Sequence, residues 1–424
     1  MQGSGMKPWT PVCPSAEIVQ WATRHVKATL RFWEEGRTDR ANAPDVPTRY
    51  AALLSNVGKF NLQKLVLVQL IDGVMHLHTA SWCDSFTANV VSWLHAALRQ
   101  MTRLGWKADG MSFIISSHAS MDSYPNGTSR AFPIMTACMR THGAQPDHGI
   151  LMPRTYKIYA ADKPLSSLGR YNNWTWEQKQ PVAVFRGALS AYGRVRLLQH
   201  ANRSKLTNIA CTLLPKGAES ASVRGKWHAG GPELWMSQHH LPACSRANKI
   251  NMEAQQQYRY LIVPNGVGCA DRLKQLLSSS SVVLLQDSEL CEFWQHDLKP
   301  YRNYVPVDRD FANLESQIEW AEARPAQMKA IIQRNQLYAS KFLTSRPQLC
   351  YLAILLARYA ALFDPGSTPY AGSQTYAAAM SKWQGTHANQ TKKPPREAPK
   401  RSRAGSQKSS SAFQRVREQL ARWG

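Results

Sequence analysis

Long apolar runs are missing from this sequence. No stretch approaches the roughly 18 consecutive apolar residues that a membrane-spanning helix needs, so no transmembrane segment is expected. The first residues, MQGSGMKPWTPVCPSAE, lack the apolar core of a secretory signal. The chain therefore reads as not secreted, or as lacking its true N-terminus. Closely spaced cysteines are missing as well. Cys13, Cys83, Cys138, Cys211, Cys244, Cys269, Cys291 and Cys350 form no CxxC and no tight Cys/His cluster, which argues against a zinc site. An even count suits bridges and buried thiols equally well, so the redox compartment stays open.

Negative charge is scarce: 28 Asp and Glu stand against 52 Lys and Arg, a formal net charge of +24. Such a surplus points to polyanions: nucleic acid, acidic glycans, membrane surfaces or nucleotide phosphates. It is concentrated at one end. From His387 to Gly424 there are ten Lys and Arg and two Asp and Glu, a surplus of 8, leaving 16 over the rest of the chain. No RNP-like, zinc-finger or helix-turn-helix pattern accompanies it, so no specific nucleic-acid partner is expected, and a basic nucleic-acid-binding protein stands only as an alternative reading of the charge. Four sequons, at Asn126, Asn173, Asn202 and Asn389, are about what chance supplies and do not decide the compartment.

What is present is an ordinary globular composition, 43% apolar, in 424 residues, which suits two domains. Residues 1–50 read as a Pro-rich N-terminal extension with a helix around Glu17–Glu35. Residues 51–175 read as a first α/β domain. Its opening stretch, through KFNLQKLVLVQLIDGVMHL and VVSWLHAALRQM, is taken as mainly helical, followed by short strands at GMSFIISS and GILMP. Residues 176–364 alternate strands (QPVAVFRGAL, YRYLIVP, SVVLLQ) with helices (YGRVRLLQHA, DRLKQLLSS, 311–323, 326–343, 350–363). That alternation describes a doubly wound parallel sheet. Residues 365–424, rich in Ser, Gln, Lys and Arg, read as a disordered basic tail.

One turn in the second domain suits a phosphate. After YRYLIVP comes Asn265-Gly266-Val267-Gly268-Cys269-Ala270-Asp271-Arg272, and then a helix pattern. Ligands of doubly wound sheets bind beyond the carboxyl ends of the strands, where glycines and a helix start expose N–H groups. The turn has G-x-G without a third glycine, so it fails the dinucleotide fingerprint. Glycines serving the turn alone remain an equal alternative.

The wider pattern adds more. VFRGA (184–188), Arg194, YRYLI…NGVG…RLKQLL, SVVLLQDSE…EFW…LKPYRNYVPV and CYL fall in order, and together they resemble glycosyltransferase family 90. This is the family of the Rumi-like protein O-glucosyltransferases and the fungal capsule-associated xylosyltransferases. The resemblance covers roughly residues 110–363 and is strongest over 181–363. It implies a GT-B-like α/β fold with two Rossmann-like domains facing a cleft, and a nucleotide-sugar site in the C-terminal one. It also implies an inverting, metal-independent transfer from a UDP-sugar to a hydroxyl on a protein or glycan, with no cofactor and no metal site. By resemblance the compartment is the secretory lumen, ER or Golgi.

Carried across, the donor-binding residues would be Arg186, Gly187, Ala188, Arg194, Gly266, Val267, Gly268, Cys269, Ala270, Asp271 and Arg272. Arg194 and Arg272 would neutralise the departing diphosphate, and Gly187 would let the backbone come close. Three positions depart from the family pattern. Ala188 replaces a serine, Gln257 a lysine, and Asp271 an aromatic or apolar residue. A carboxylate at position 271 is unfavourable beside a diphosphate unless it turns away or pairs with Arg272. The catalytic base, an Asp in the family, would follow the SFIIS strand. A short insertion brings Asp122 to that place, three residues before Pro125, and Asp122 is the preferred base. An ungapped reading brings His118 or Ala119 instead, and a third leaves no base, which makes the chain a silent binding relative. The stretch after GILMP carries Thr155 and Ile158 where the family has Trp, so acceptor choice is expected to differ.

Other signals weigh less. Asp308-Arg309-Asp310 is a D-x-D, read as a loop with Asp310 capping the next helix. His239-His240 reads as a surface pair. Glu289 and Glu292 flank Cys291 and read as helix-surface residues, with a sugar-facing role for Glu289 as the alternative; Trp174 and Trp176 suit edge packing or stacking on a sugar equally.

Overall fold

The computed structural model describes residues 12–36, 45–56, 64–79, 85–106, 109–118, 128–143, 146–154, 174–201, 204–213, 237, 240–366 and 368–391. Residues 1–383 form one compact unit, and residues 384–424 a second.

Among the described residues, thirteen short strands carry the architecture. In the first half they are β1 (Leu65–Ile71), β2 (Val74–His78), β3 (Met111–Ser116), β4 (Ile134–Thr136), β5 (Met139–Arg140) and β6 (Ile150–Leu151). In the second half they are β7 (Gln180–Ala188), β8 (Thr207–Leu213), β9 (Tyr258–Val263), β10 (Val282–Gln286), β11 (Leu290–Cys291) and β12 (Val305–Val307), with β13 (Gln374–Thr375) last. They make a six-stranded sheet in the order β13-β2-β1-β3-β4-β6, a five-stranded sheet in the order β12-β10-β9-β7-β8, and a small β11-β5 pair.

The five-stranded sheet is parallel throughout. Parallel strands are covered on both faces and so read as continuous apolar runs, which is what VAVF, YLIV and VVLL are. Their side chains still alternate between two cores. Val184, Leu261, Val263 and Val283 face one, whereas Phe185, Tyr260, Ile262 and Leu284 face the other. Helices Leu314–Glu322 and Pro325–Phe342 close the second core through Leu314, Ile318, Met328 and Ile331.

The six-stranded sheet is mixed. β3, β4 and β6 run parallel, while β2, β1 and β3 form an antiparallel meander. The stretch LVLVQLIDGVMHL, expected as helix, is therefore a hairpin. Asp72 (φ 51°) and Gly73 (φ 72°) make its two-residue turn between Ile71 and Val74. Two left-handed residues in a row suit the right-handed strand twist, and Asp-Gly is the pair that adopts them most easily.

Two boundaries also shift. Helix Ala16–Glu35, expected in an extension, belongs to the core. Trp21, Ala22, Val26 and Leu30 are buried, and Cys13 is bridged to Cys350. Helix Ser345–Leu362, expected with the second domain, is tied to the first sheet: the Tyr351 hydroxyl donates to the Leu151 carbonyl (2.6 Å) and that of Tyr359 to the Pro133 carbonyl (3.3 Å). Regular structure also runs past residue 365, where a disordered tail was expected to begin. β13 pairs with β2, and a helix follows over Tyr376–Thr391. The fold is α/β, as expected, with one parallel and one mixed sheet.

Candidate active site

In the order β8-β7-β9-β10-β12, the chain reverses direction of travel between β7 and β9. Ligands of such sheets bind at that switch point, beyond the carboxyl ends of the strands. The segment after β7 runs through Ser190 to Arg194, and the segment after β9 is Asn265–Arg272. A cavity of about 290 Å³ opens there, lined by Ser190, Arg194 and residues 266–272 from the second sheet, and by Arg154 from beyond β6 of the first.

Two half-buried arginines define the site. Arg194, on helix Tyr192–Leu198, reaches back to the strand ends. Its guanidinium donates to the carbonyls of Ala188 (3.0 Å), Asn265 (3.0 Å) and Pro264 (3.4 Å). Burial, and then the neighbouring Arg272, pull its pKa down to about 10, so it is still cationic at neutral pH. Arg272 donates to the Arg186 carbonyl (2.8 Å) and lies over the Phe185 ring. Among the described residues neither arginine pairs with a carboxylate. Two cations held by carbonyl dipoles at the mouth of a sheet, with no carboxylate pairing either among the described residues, suit an anion.

The glycines serve these arginines. A Cβ at Gly187 would sit 2.7 Å from Phe185 Cζ and 3.3 Å from Arg272 Nη2, and a Cβ at Gly266 3.1 Å from Arg194 Nη2. A side chain at Gly187 would thus crowd Phe185 first and then Arg272. The turn is braced from within, because the Ala270 N–H donates to Asn265 Oδ1 and the Gly266 N–H to the Gly268 carbonyl. The helix after it is a single turn, Leu273–Leu276, so a long helix dipole is not what favours an anion here.

Of the residues expected at the donor site, Arg194, Gly266, Val267, Gly268, Cys269, Ala270, Asp271 and Arg272 come together around the cavity. Arg186 does not join them. Its guanidinium turns to β8 and donates to the Asn208 carbonyl and Oδ1, both at 2.6 Å. Ala188 takes part through its carbonyl, as an acceptor for Arg194. Asp122 lies outside the described residues. His118, the alternative base, is buried just past β3, its N–H donating to Ser116 Oγ (3.1 Å).

Three residues close to the cavity had no site role in the sequence reading. Arg154 forms an ion pair with Asp271 and stands 3.5 Å from Glu292; Lys274 pairs with Glu292 at 2.9 Å. The Trp294 indole also donates to Glu292 (2.9 Å), so this carboxylate is no helix-surface residue. Burial pushes the Glu292 carboxyl up, but Lys274 and Arg154 outweigh it and hold the group below the usual carboxylate range. Asp271 thus pairs with Arg154, not with Arg272. The cysteines act here as well: Cys138, just past β4, is bridged to Cys269 in the donor turn, and Cys211 to Cys244. Cys83 lies outside the described residues.

The remaining signals resolve locally. Asp310 accepts from the Ala312 N–H, and the helix starts later, after Asn313, so Asp310 is not its cap. Asp308 and Asn313 bond each other, and Arg309 pairs with Glu289. Trp176 packs edge-on against Tyr260 beneath the Arg259 guanidinium.

The fold and site thus define an α/β protein with a cationic pocket at the switch point of a parallel sheet. Comparison with known proteins narrows this: the profile of glycosyl transferase family 90 matches residues 143–401, and the chain belongs to that family. It is 26% identical to human protein O-glucosyltransferase 3 over 243 residues, covering 55% of this chain and 43% of that protein. It is 23% identical to human protein O-glucosyltransferase 1 over 209 residues, 49% of each. With O-glucosyltransferase LpsA of Dichelobacter nodosus the identity is 26% over 189 residues, 44% of this chain and 52% of that one. The chain spans about half the length of these curated relatives. Sucrose-phosphate synthase from Thermosynechococcus elongatus is a distant structural likeness, at a TM-score of 0.32 and 12% identity over 50% of this chain and 53% of that one. It adds nothing to the strand pairing described above.

Proposed function

We propose that this chain is an inverting, metal-independent glycosyltransferase. It moves a hexose or pentose of the glucose or xylose class from a UDP-sugar to a hydroxyl on a protein or glycan. The observation that carries the reading is the half-buried pair Arg194 and Arg272, uncompensated by carboxylates among the described residues, in a member of family 90. The names of the relatives, protein O-glucosyltransferases and an O-glucosyltransferase, favour glucose.

In a single displacement the acceptor oxygen bonds to the anomeric carbon as the bond from that carbon to the diphosphate oxygen breaks. Charge then grows on UDP, and Arg194 and Arg272 are preorganised to meet it, which is the work a divalent ion does elsewhere. Asp122 takes the acceptor proton. Three disulfides in one chain suit an oxidising compartment, and the secretory lumen is the one proposed.

The test is turnover of a panel of UDP-sugars with chelator present, with and without hydroxyl acceptors. One donor should turn over, and Asp122→Asn should abolish turnover while keeping UDP affinity. Turnover that is unchanged in Asp122→Asn would remove that residue from the chemistry. A wild type that binds UDP and transfers nothing to any acceptor would favour a silent binding relative.

A further inference from the structure

Arg154, Asp271, Glu292 and Lys274 form a connected, largely buried charge cluster, of which Arg154 and Asp271 line the cavity. Two of its members are cations and two are carboxylates, so the cluster sums to zero. Arg194 and Arg272 lie outside it and bring two positive charges, which match the two negative charges of a diphosphate ester. This balance depends on one contact. Asp271 is adjacent in sequence to Arg272 and lines the same cavity. Without Arg154 its carboxylate would turn on Arg272 or Arg194 and cancel half of the site's charge. Arg154 itself is committed to carboxylates on two sides, Asp271 and Glu292, and only 12% of its side chain is exposed. Glu292 is fixed in turn by Lys274 and the Trp294 indole.

We propose that Arg154 is a positioning residue of the donor site: by neutralising Asp271 it keeps the charge of Arg194 and Arg272 available to the diphosphate. This rests on the donor-site reading above. It also answers the oddity of an aspartate in a phosphate turn. The carboxylate is tolerated because a cation from the other sheet comes with it, and the two residues act as a pair.

The alternative role for the pair is mechanical, a clamp between Arg154 beyond β6 and the turn beyond β9. The two roles predict different mutant patterns. Affinities for UDP and for inorganic pyrophosphate would be measured by calorimetry, in chelator, on wild type, Arg154→Met, Asp271→Asn and the double variant. Neutralisation predicts that Arg154→Met weakens both ligands on the order of tenfold, the effect of one uncancelled like charge a few ångströms away in a half-buried site. It predicts that Asp271→Asn binds at least as tightly as wild type. The double variant should recover most of the loss, although it has neither partner. Asp271 is partly exposed, so Asp271→Asn decides the question even if Arg154→Met fails to fold. Asp271→Asn weakening binding as Arg154→Met does, or a double variant no tighter than Arg154→Met, would overturn the inference alone. Wild type binding neither UDP nor pyrophosphate would overturn the donor-site reading, and the inference with it.

Discussion

Replacing Lys274 by Met tests the electrostatics beneath the donor turn. Lys274 and Glu292 are almost wholly buried, and their ion pair measures 2.9 Å. A buried pair can be exchanged for apolar groups at little cost, but removing one partner strands the other charge, at about 3–5 kcal/mol. In Lys274→Met the Glu292 carboxylate keeps the Trp294 indole and Arg154 at 3.5 Å, so a loss at the low end, about 3 kcal/mol, is expected. The loss should depend on pH. In wild type the Glu292 pKa is held below its ordinary value, so its contribution is present above that value and is lost as pH falls. In the variant the main opposing cation is gone, burial dominates, and the folded-state pKa rises above the unfolded one. The variant then loses stability as pH rises through that window. The gap to wild type should therefore be widest near neutrality and should close toward about pH 4–5. Urea unfolding of both proteins across that range reads it directly. The double variant Lys274→Met/Glu292→Gln should cost less than the sum of its single changes. A gap that does not change with pH, or strict additivity, would refute the reasoning.

Three further outcomes follow from named contacts. Gly187→Ala places a methyl against Phe185 and Arg272, so UDP affinity should fall by about tenfold, one lost charge-assisted contact, with the fold retained by circular dichroism. Gly73→Ala meets no atom within 4 Å but must hold φ near +72°, so it should cost only about 1 kcal/mol in unfolding experiments, the backbone penalty alone. Asp297 is pushed up by burial, but the His25 hydrogen bond (3.0 Å) and the charges of His25 and Arg24 hold its pKa below the usual 3.8. Its contribution to stability is thus present above that value and lost as pH falls, and Asp297→Asn should flatten the acid limb of the stability profile; an unchanged limb would contradict this.

Legibility varied with how local the cause was. β7, β9 and β10 were plain in sequence because a strand covered on both faces must be apolar throughout. The same property concealed β1: six of its seven residues are buried, so no alternation marked it as a strand, and the Asp72-Gly73 turn was the available signal. The turn after β9 was legible as a glycine-bearing break between strand and helix. The Arg154–Asp271 pair was not, because an ion pair formed by residues from two different sheets leaves no local pattern. The same holds for the Cys138–Cys269 bridge, which joins residues separated by 131 positions. Arg186 was misplaced for a subtler reason. Neighbours on a strand point to opposite sides, and Asn208 on β8 accepts from both terminal nitrogens of its guanidinium.

The central claim is that Arg194 and Arg272 hold a nucleoside diphosphate without a metal. Calorimetry of UDP in excess chelator, on wild type and Arg272→Ala, tests it most directly. The account predicts that wild type binds UDP well and UMP much more weakly, with Arg272→Ala losing on the order of tenfold to a hundredfold for UDP, the range of a charge-assisted contact of about 1.5–3 kcal/mol. Affinity that needs added divalent ion, or that Arg272→Ala leaves unchanged, would contradict it.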